Sequence, residues 1–209
     1  MDIHTPEGPT NSFKDFAIHI VIVTIGILIA LGLEGAREKM YEHQAIRNAR
    51  ENFQAEFKIN RNNLNEELKN DKEIIGQLDS IVAALPKLRS NPSQLSHRIA
   101  DLTNPSAYFF SNSSWESEVS TGALSHMSVE EVNRYSEVNF LVRAYTSREN
   151  QAFLDWGQME AFSVAHQNLT PAEINSCVQK LVIYRIDVKV LSHIGEEFSR
   201  SLNNALEHR

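Results

Sequence analysis

Several residue types that mark common protein classes are scarce in this chain of 209 residues. Cys177 is its one cysteine, so an intramolecular disulfide and a cysteine metal cluster are both excluded. Because Cys177 falls among apolar residues at helical spacing, we predict a small buried side chain rather than a nucleophile. The formal charge of −7 and the absence of any basic run argue against nucleic acid as a partner.

The chain also lacks the short motifs that carry common chemistry. It has no HExxH zinc motif, no Glu-x-x-His pair of the di-iron type, no phosphate-binding loop, no dinucleotide glycine pattern and no nucleophile elbow. His193 and Glu197 come nearest to a ligand pair, but their spacing is typical of a solvated contact between helical turns. We therefore predict that the protein is not an enzyme and uses no cofactor or metal.

One long apolar run extends from Phe16 to Leu33, and only His19 and Thr24 carry polar side chains in it. As a helix, these roughly 18 residues would measure about 27 Å, close to the ~30 Å of bilayer hydrocarbon. The run has no polar stripe of the kind that a helix at the edge of a core shows. We predict a transmembrane helix that anchors a single-pass protein in a membrane.

Two other interpretations of this run stay open. A buried core helix of a soluble protein can be equally apolar. A cleaved signal peptide is the other, because Ala30-Leu31-Gly32 is similar to a small-x-small cleavage site. However, the segment before Phe16 carries one lysine, Lys14, against three acidic residues, whereas a signal peptide begins with net positive charge.

Small residues recur at a spacing of four, as Gly26 with Ala30 and Gly32 with Ala36. This spacing lets two helix backbones approach closely in a membrane. It predicts helix association through these four residues, in a homo-oligomer or with another membrane protein. The alternative is that glycine and alanine are simply common in membrane-spanning helices.

The charges beside the run bear on which side of the membrane the rest of the chain lies. Lys14 and the amino terminus precede it, whereas Arg37, Lys39, Arg47 and Arg50 follow it. Since positive residues near a span favour the cytoplasm, the count predicts a cytoplasmic location for the remainder. Single N-terminal anchors in bacteria commonly carry an external domain, so the opposite orientation stays open.

The rest of the chain shows helical spacing of apolar residues and no alternating strand pattern. We predict an all-α fold in which the transmembrane helix continues into a long helix of an antiparallel bundle. The predicted segments are a disordered tail (1–11), the transmembrane helix (12–35, with Ser12 as its cap), a juxtamembrane stalk helix (36–85) and a helical bundle (86–209) that the stalk completes. Asn70 is the one place where the stalk could restart, and Pro86 is expected to end it.

Capping signals divide the bundle region further. The predicted caps are Asn91 before Pro92 for a short helix ending near Leu102, Ser113 or Ser114 for a second one that Gly122 ends, Ser128 with Glu131 for a helix to about Ala165, and Thr170 with Glu173 for the last helix. From Ile174 to Ala205 apolar residues alternate at three and four positions, a coiled-coil-like seam that requires partner helices.

Aromatic residues concentrate in the loop over 103–114 and just after it. Tyr108, Phe109 and Phe110 stand in a row, and because exposed aromatics in a row are costly we predict that they plug the core. Alternatively, Tyr108, Phe109, Phe110, Trp115 and Trp156 would line a ligand pocket. The sequence thus supports two functions, a membrane-anchored protein that self-associates or scaffolds a complex and a membrane-anchored sensory bundle.

Two stretches resemble a group of bacterial membrane proteins, the DUF6090-like family. One is the span with the charged helix after it, HIVIVTIGILIALGLEGAREKMYEHQ and ARENFQAEF; the other is Trp115-Glu116-Ser117 followed by Thr121-Gly122-Ala123-Leu124. The resemblance covers about the first 70 residues and the 108–145 region. It implies an N-terminal helix in the bacterial inner (plasma) membrane, followed by a charged juxtamembrane helix, and implies no activity, cofactor or catalytic residue.

Overall fold

The computed structural model describes residues 13–165 and 170–207. Its helices are α1 (Phe13–Leu88), α2 (Pro92–Ala100), α3 (Ser113–Thr121), α4 (Val129–Ala165) and α5 (Pro171–Glu207), with a 3₁₀ turn over Ala123–His126. No strand occurs among these residues, and the predicted all-α fold is confirmed. The predicted disordered tail and the Ser12 cap lie outside the described residues.

The chain divides into two compact units, Met1–Arg47 and Asn48–Arg209, and α1 contributes residues to both. In the first unit every residue from Phe16 to Leu33 is exposed. The most apolar 18-residue window of the helix has a mean hydropathy of 2.7, and none of it is buried. By length and composition, this one helix could therefore cross a membrane.

The α1 segment of the second unit shows no break at Asn70 and ends at Leu88. Pro86 lies inside its last turn, so the prediction that Pro86 ends the helix is wrong by two residues. Pro86 removes only the bond that its own amide would donate to the Val82 carbonyl, and the Arg89 amide still donates to the Leu85 carbonyl at 3.0 Å, so the helix continues for two residues past the proline. The chain leaves the helix through a turn in which the Asn91 amide donates to the Leu88 carbonyl at 3.0 Å.

The second unit is built around α1, α4 and α5. Gln54 donates to the Ala205 carbonyl near the start of the α1 segment that belongs to the second unit, and Asp79 pairs with Arg185 near the end of α1, so this segment and α5 are antiparallel. Arg50 bonds Glu131 and Phe53 packs on Tyr135, which places the starts of the α1 segment and α4 side by side. The helices α1 and α4 consequently run in the same direction.

That parallel pair exists because the chain travels back along α1 before α4 begins. The return path consists of α2 and an extended segment, residues 103–112, which we name the strap. The strap runs against the direction of α1, since Thr103 contacts Gln77 and Ser111 contacts Asn60. The bundle therefore contains a long crossover, in addition to the antiparallel packing that the sequence predicts.

The predicted seam of α5 is buried along its length, at Ile174, Cys177, Leu181, Tyr184, Val188, Leu191, Gly195, Phe198, Leu202 and Ala205. Gly195 lies directly against side chains of α1 and α4. A Cβ there would lie 2.8 Å from Leu68 Cδ2 and 3.0 Å from Tyr145 Cε2. A larger residue at 195 would therefore require the side chains of Leu68 and Tyr145 to shift.

Most of the predicted caps are present. Asn91 Oδ1 accepts from the Gln94 amide at 3.3 Å, and Gly122 ends α3 in the left-handed region with φ 77°. The Thr170 amide donates to Glu173 at 2.7 Å and the Glu173 amide donates back at 3.3 Å, which completes the capping box of α5.

The predicted cap of α3 is wrong, because Asn112 is its N-cap residue and Ser113 and Ser114 lie inside the helix. At the starts of α3 and α4, a distant residue makes a contact that the local pattern does not predict. Ser128 Oγ accepts from the Glu131 amide at 3.2 Å, but the Glu131 carboxylate binds Arg50 instead of closing the box. The first turn of α3 is held by Glu56 of α1, whose Oε2 accepts from the Ser114 amide at 3.0 Å. A carboxylate at this position also complements the positive end of the helix.

Candidate functional site

The buried face of α1 contains polar residues where a core helix would carry apolar ones. Asn60, Glu67 and Asp71 have exposed fractions of only 0%, 2% and 4%. They continue the same alternation of three and four positions as their apolar neighbours Leu64 and Ile74. Buried polar groups are costly unless they are hydrogen-bonded, so the partners of this polar seam define what it does.

One task of the polar seam is to hold the strap by its backbone. Asn60 Nδ2 donates to the Ser111 carbonyl at 2.7 Å, and its Oδ1 accepts from the Ser111 amide at 3.0 Å. Asn70 makes a similar pair of bonds, to the Asn104 carbonyl at 3.2 Å and from the Ser106 amide at 3.1 Å. These bonds satisfy an extended backbone that has no neighbouring strand.

Further side chains of α1 extend this row in both directions. Gln77 accepts from the Thr103 amide and donates to its hydroxyl, both at 2.8 Å. Asn63 donates to the Phe109 carbonyl at 2.9 Å, and Glu56 accepts from the Ser111 hydroxyl at 2.7 Å. The strap is thus bonded along most of its length to one face of α1.

Replacing Asn60 by alanine is expected to destabilise the bundle by about 1–3 kcal/mol, because it removes the two hydrogen bonds that the fully buried Asn60 side chain makes with the Ser111 backbone. Chemical denaturation of the detergent-solubilised protein measures this change. Asn62→Ala is the matched control, since Asn62 is exposed on the same helix and its loss should change stability by less than about 0.5 kcal/mol. Equal effects of the two substitutions would contradict the role given to Asn60.

The second feature of the polar seam is a cluster of carboxyls between α1 and α4, which we name the acid cluster. It consists of Glu67 and Asp71 on α1 and Glu149 on α4, whose exposed fraction is 8%. The carboxyls of Glu149 and Glu67 are hydrogen-bonded to each other. Glu67 also accepts from the Ser106 hydroxyl at 2.6 Å and from the Tyr108 amide at 2.9 Å, which joins the acid cluster to the strap.

Burial dominates the electrostatics of the acid cluster. It raises the pKa of Glu149 to about 8, with a further increase from the neighbouring Glu67 charge. It raises the pKa of Asp71 to about 7, again with a contribution from Glu67. The pKa of Glu67 is also raised by burial, although hydrogen bonds from Ser106 and Tyr108 act in the opposite direction.

Two tyrosines border the acid cluster, Tyr145 on α4 and Tyr184 on α5. Both are fully buried, and burial raises the pKa of each hydroxyl. Both also feel the charge of Asp71. Neither hydroxyl has a hydrogen-bond partner within the described part of the chain, and the same holds for Asp71 Oδ2 and Glu149 Oε1.

The ion pairs of the bundle lie apart from the acid cluster. Arg50 donates to both oxygens of Glu131, at 2.6 Å and 2.9 Å, and these bonds hold the pKa of Glu131 below its usual range. Arg148, next to Glu149 in the sequence, pairs with Asp187 of α5. Within residues 13–165 and 170–207, no group of three His, Cys, Asp or Glu residues is arranged to hold a metal ion.

The four small residues of the predicted association surface are exposed in the first unit. A Cβ added at Gly26 or Gly32 would meet no atom within 4 Å. Helical geometry separates the two pairs, because the six positions from Gly26 to Gly32 turn a helix by roughly 240°. Gly26 with Ala30 and Gly32 with Ala36 therefore form two different faces.

The structure distributes the five predicted pocket aromatics over separate contacts. Phe110 packs against Tyr145 and Phe198, with ring centroids 5.1 Å and 5.7 Å away. Trp115 contacts Phe53 at 6.5 Å, whereas Trp156 contacts Phe153 at 6.4 Å.

The predicted core plug is correct only for Phe110. Phe109 has an exposed fraction of 95% and Tyr108 of 40%. Successive side chains of an extended segment point to opposite sides, so one of two adjacent phenylalanines must face away from the helix to which the strap is bonded.

Sequence reasoning missed the polar seam and the acid cluster. The apolar residues Leu68, Ile75 and Val82 of α1 also stand at helical spacing, but the structure leaves these three only partly buried. Continuing the alternation of three and four from Phe53 and Phe57 instead reaches Asn60, Leu64, Glu67, Asp71, Ile74 and Leu78. The pattern was therefore present in the sequence, but its polar members resembled a solvated face.

Together, the fold and the site define an all-α protein with a strapped helical bundle and a separate exposed apolar helical segment. Comparison with protein-family models, curated proteins and solved structures finds no match to this chain. The resemblance to DUF6090-like proteins consequently stays a prediction.

Proposed function

We propose that this is a single-pass protein of the bacterial inner membrane that has no enzymatic activity and associates with a second copy or another membrane protein. The observation that carries the proposal is the complete exposure of residues 16–33. Each large apolar side chain left in water forgoes about 1.5–3 kcal/mol of burial free energy. A segment with this many exposed isoleucines, leucines and valines requires lipid around it.

The small-residue faces support association within the membrane. Gly26 and Ala30 offer a shallow groove on one side of the helix, and Gly32 and Ala36 offer another on a different side. The open space at both glycines shows that their small size serves no contact within the described chain. Close approach of another helix would use it, because contact between helices in lipid depends on packing rather than on exclusion from water.

Replacing the small residues is the test of association. Gly26→Ile with Ala30→Ile, and separately Gly32→Ile with Ala36→Ile, should each be compared with the wild type by chemical crosslinking in native membranes and by sedimentation in detergent. We expect one pair to reduce the crosslinked species at least tenfold. Ile27→Phe is the control, because it enlarges a side chain about 100° away from Gly26.

Two results would overturn the association proposal. One is a wild-type protein that sediments as a monomer and copurifies with no membrane protein. The other is a crosslinked species that neither pair of substitutions reduces.

The orientation proposal is that the bundle lies in the cytoplasm, as the lysine and arginine count favours. Phe109 gives a convenient probe, because its side chain is 95% exposed in the strap. Chymotrypsin is expected to cleave there in inverted membrane vesicles and to leave the protein intact in spheroplasts. Cleavage in spheroplasts alone would instead place the bundle outside.

The sensory alternative rests on an aromatic pocket, and the ring contacts of Phe110, Trp115 and Trp156 are separate from one another. It remains a prediction from the sequence. A thermal-shift screen in which no small molecule raises the melting temperature would argue against it.

A further inference from the structure

We propose that the acid cluster of Glu67, Asp71 and Glu149 is a proton-operated switch, which holds α1, α4 and the strap together when it is protonated and loosens them when it loses its protons. The inference goes beyond anchoring and association, because it concerns regulation of the bundle. It stands on the position of the three carboxyls and on the partners that they have and lack.

The three carboxyls of the acid cluster are buried. All three carboxyls lie on the buried side of their helices, with exposed fractions of 8% or less. In a bundle of this kind, replacing buried ionic groups by apolar ones of similar size often costs nothing or is stabilising. Buried carboxyls that face each other therefore contribute less to the stability of the fold than apolar residues would. A role in switching explains why they are present.

Groups from α1, α4, α5 and the strap face the acid cluster. The helix α1 contributes Glu67 and Asp71, α4 contributes Tyr145 and Glu149, and α5 contributes Tyr184. The strap contributes the uncharged hydroxyl of Ser106 and amide of Tyr108. Every charge found to act on the three carboxyls comes from another carboxyl of the cluster.

A proton is the group that neutralises the acid cluster. The carboxyls of Glu67 and Glu149 are hydrogen-bonded to each other, and two carboxyls can share a hydrogen bond only when one of them carries a proton. Glu67 is the member best able to carry charge, because the strap donates two hydrogen bonds to it. Asp71 Oδ2 and Glu149 Oε1 accept no hydrogen bond within the described residues, so ionisation of these two groups would leave buried charge unsolvated.

The raised pKa values of Asp71 and Glu149 set the pH range of the switch. Native pKa values of about 7 for Asp71 and about 8 for Glu149 lie above the ordinary carboxyl range near 4. The folded protein therefore binds more protons than the unfolded chain between about pH 4 and pH 8. The stabilisation is fully present below about pH 4, declines as the pH rises through this range, and is lost above the native pKa values.

Ionisation of Glu149 would weaken the contacts that hold the strap. Loss of the Glu149 proton removes the hydrogen bond to Glu67 and places two carboxylates against each other. Since Glu67 is also the residue that binds Ser106 and Tyr108, the centre of the strap is expected to loosen first. The switch would thus act near neutral pH on the contact between α1, α4 and the strap.

The test is the pH dependence of unfolding of the full chain in detergent. Between pH 5 and pH 6.5 the wild-type unfolding constant should increase by up to tenfold per pH unit for each of the two groups. Asp71→Asn combined with Glu149→Gln keeps these two positions neutral at every pH and should remove their contribution. Glu66→Gln, on an exposed carboxyl beside the cluster, is the control and should retain the wild-type slope.

A second measurement needs no variant and remains decisive if the double substitution fails to fold. Infrared spectra of the wild type should show the carbonyl band of a buried carboxylic acid at pH 6, and the band should disappear by about pH 9. Amide exchange at Tyr108 should accelerate over the same range by more than the intrinsic effect of pH. Absence of the band at pH 6, or an unchanged slope in the folded double variant, would overturn the switch.

Discussion

Arginine at both Ile25 and Ile29 is expected to move the protein from the membrane fraction to the soluble or degraded fraction. Each arginine near the centre of a spanning helix costs about 2.5–3.5 kcal/mol on insertion scales. Two such charges in a short apolar run should outweigh much of its preference for lipid. The measurement is the distribution of the protein between carbonate-washed membranes and supernatant.

The matched control is Ile59→Arg. Ile59 is also an exposed isoleucine on α1, with an exposed fraction of 60%, but it belongs to the second unit. Its substitution should leave the membrane fraction unchanged. If the doubly substituted protein stays in washed membranes, or if the wild type is soluble without detergent, the anchor proposal is wrong.

Phe198→Ala is expected to give the largest loss of stability in the bundle, about 3–5 kcal/mol. Phe198 is fully buried on α5, and its ring meets both Phe110 of the strap and Tyr145 of α4. Truncation would leave a cavity where these elements converge. Chemical denaturation of the detergent-solubilised chain, monitored by near-UV circular dichroism, measures the effect.

Phe140→Ala provides the comparison for this prediction. Phe140 lies on α4 with an exposed fraction of 67%, so the same chemical change should cost less than about 0.5 kcal/mol. Similar losses at the two positions would show that Phe198 is not at the centre of the core.

The features that sequence predicted well are local. Thr170 and Glu173 are three residues apart, and their reciprocal bonds need no residue from outside the start of α5. The burial of α5 follows from a seam whose members are nearly all apolar. The end of α3 at Gly122 follows from the left-handed conformation that glycine adopts without strain.

The features that sequence did not predict depend on distant residues. Local rules pair Glu131 with Ser128, but Arg50, 81 positions earlier, binds the carboxylate more strongly. Asn60 and Glu67 appear solvated in a sequence window because their partners Ser111 and Tyr108 are more than 40 positions away. Nothing in the periodicity of α1 reveals that a strap without regular secondary structure will cover it.

The row of α1 side chains that holds the strap has a geometric consequence. A helical seam of repeating apolar residues tolerates sliding by a whole heptad, because such a shift brings similar side chains to similar places. The amides of Asn60 and Asn70 allow no such freedom, since a displacement of even one residue would rotate them by about 100° away from their backbone partners. The strap therefore fixes the axial position of α1 relative to itself, and it does so independently of the apolar contacts that α1 makes with the other helices.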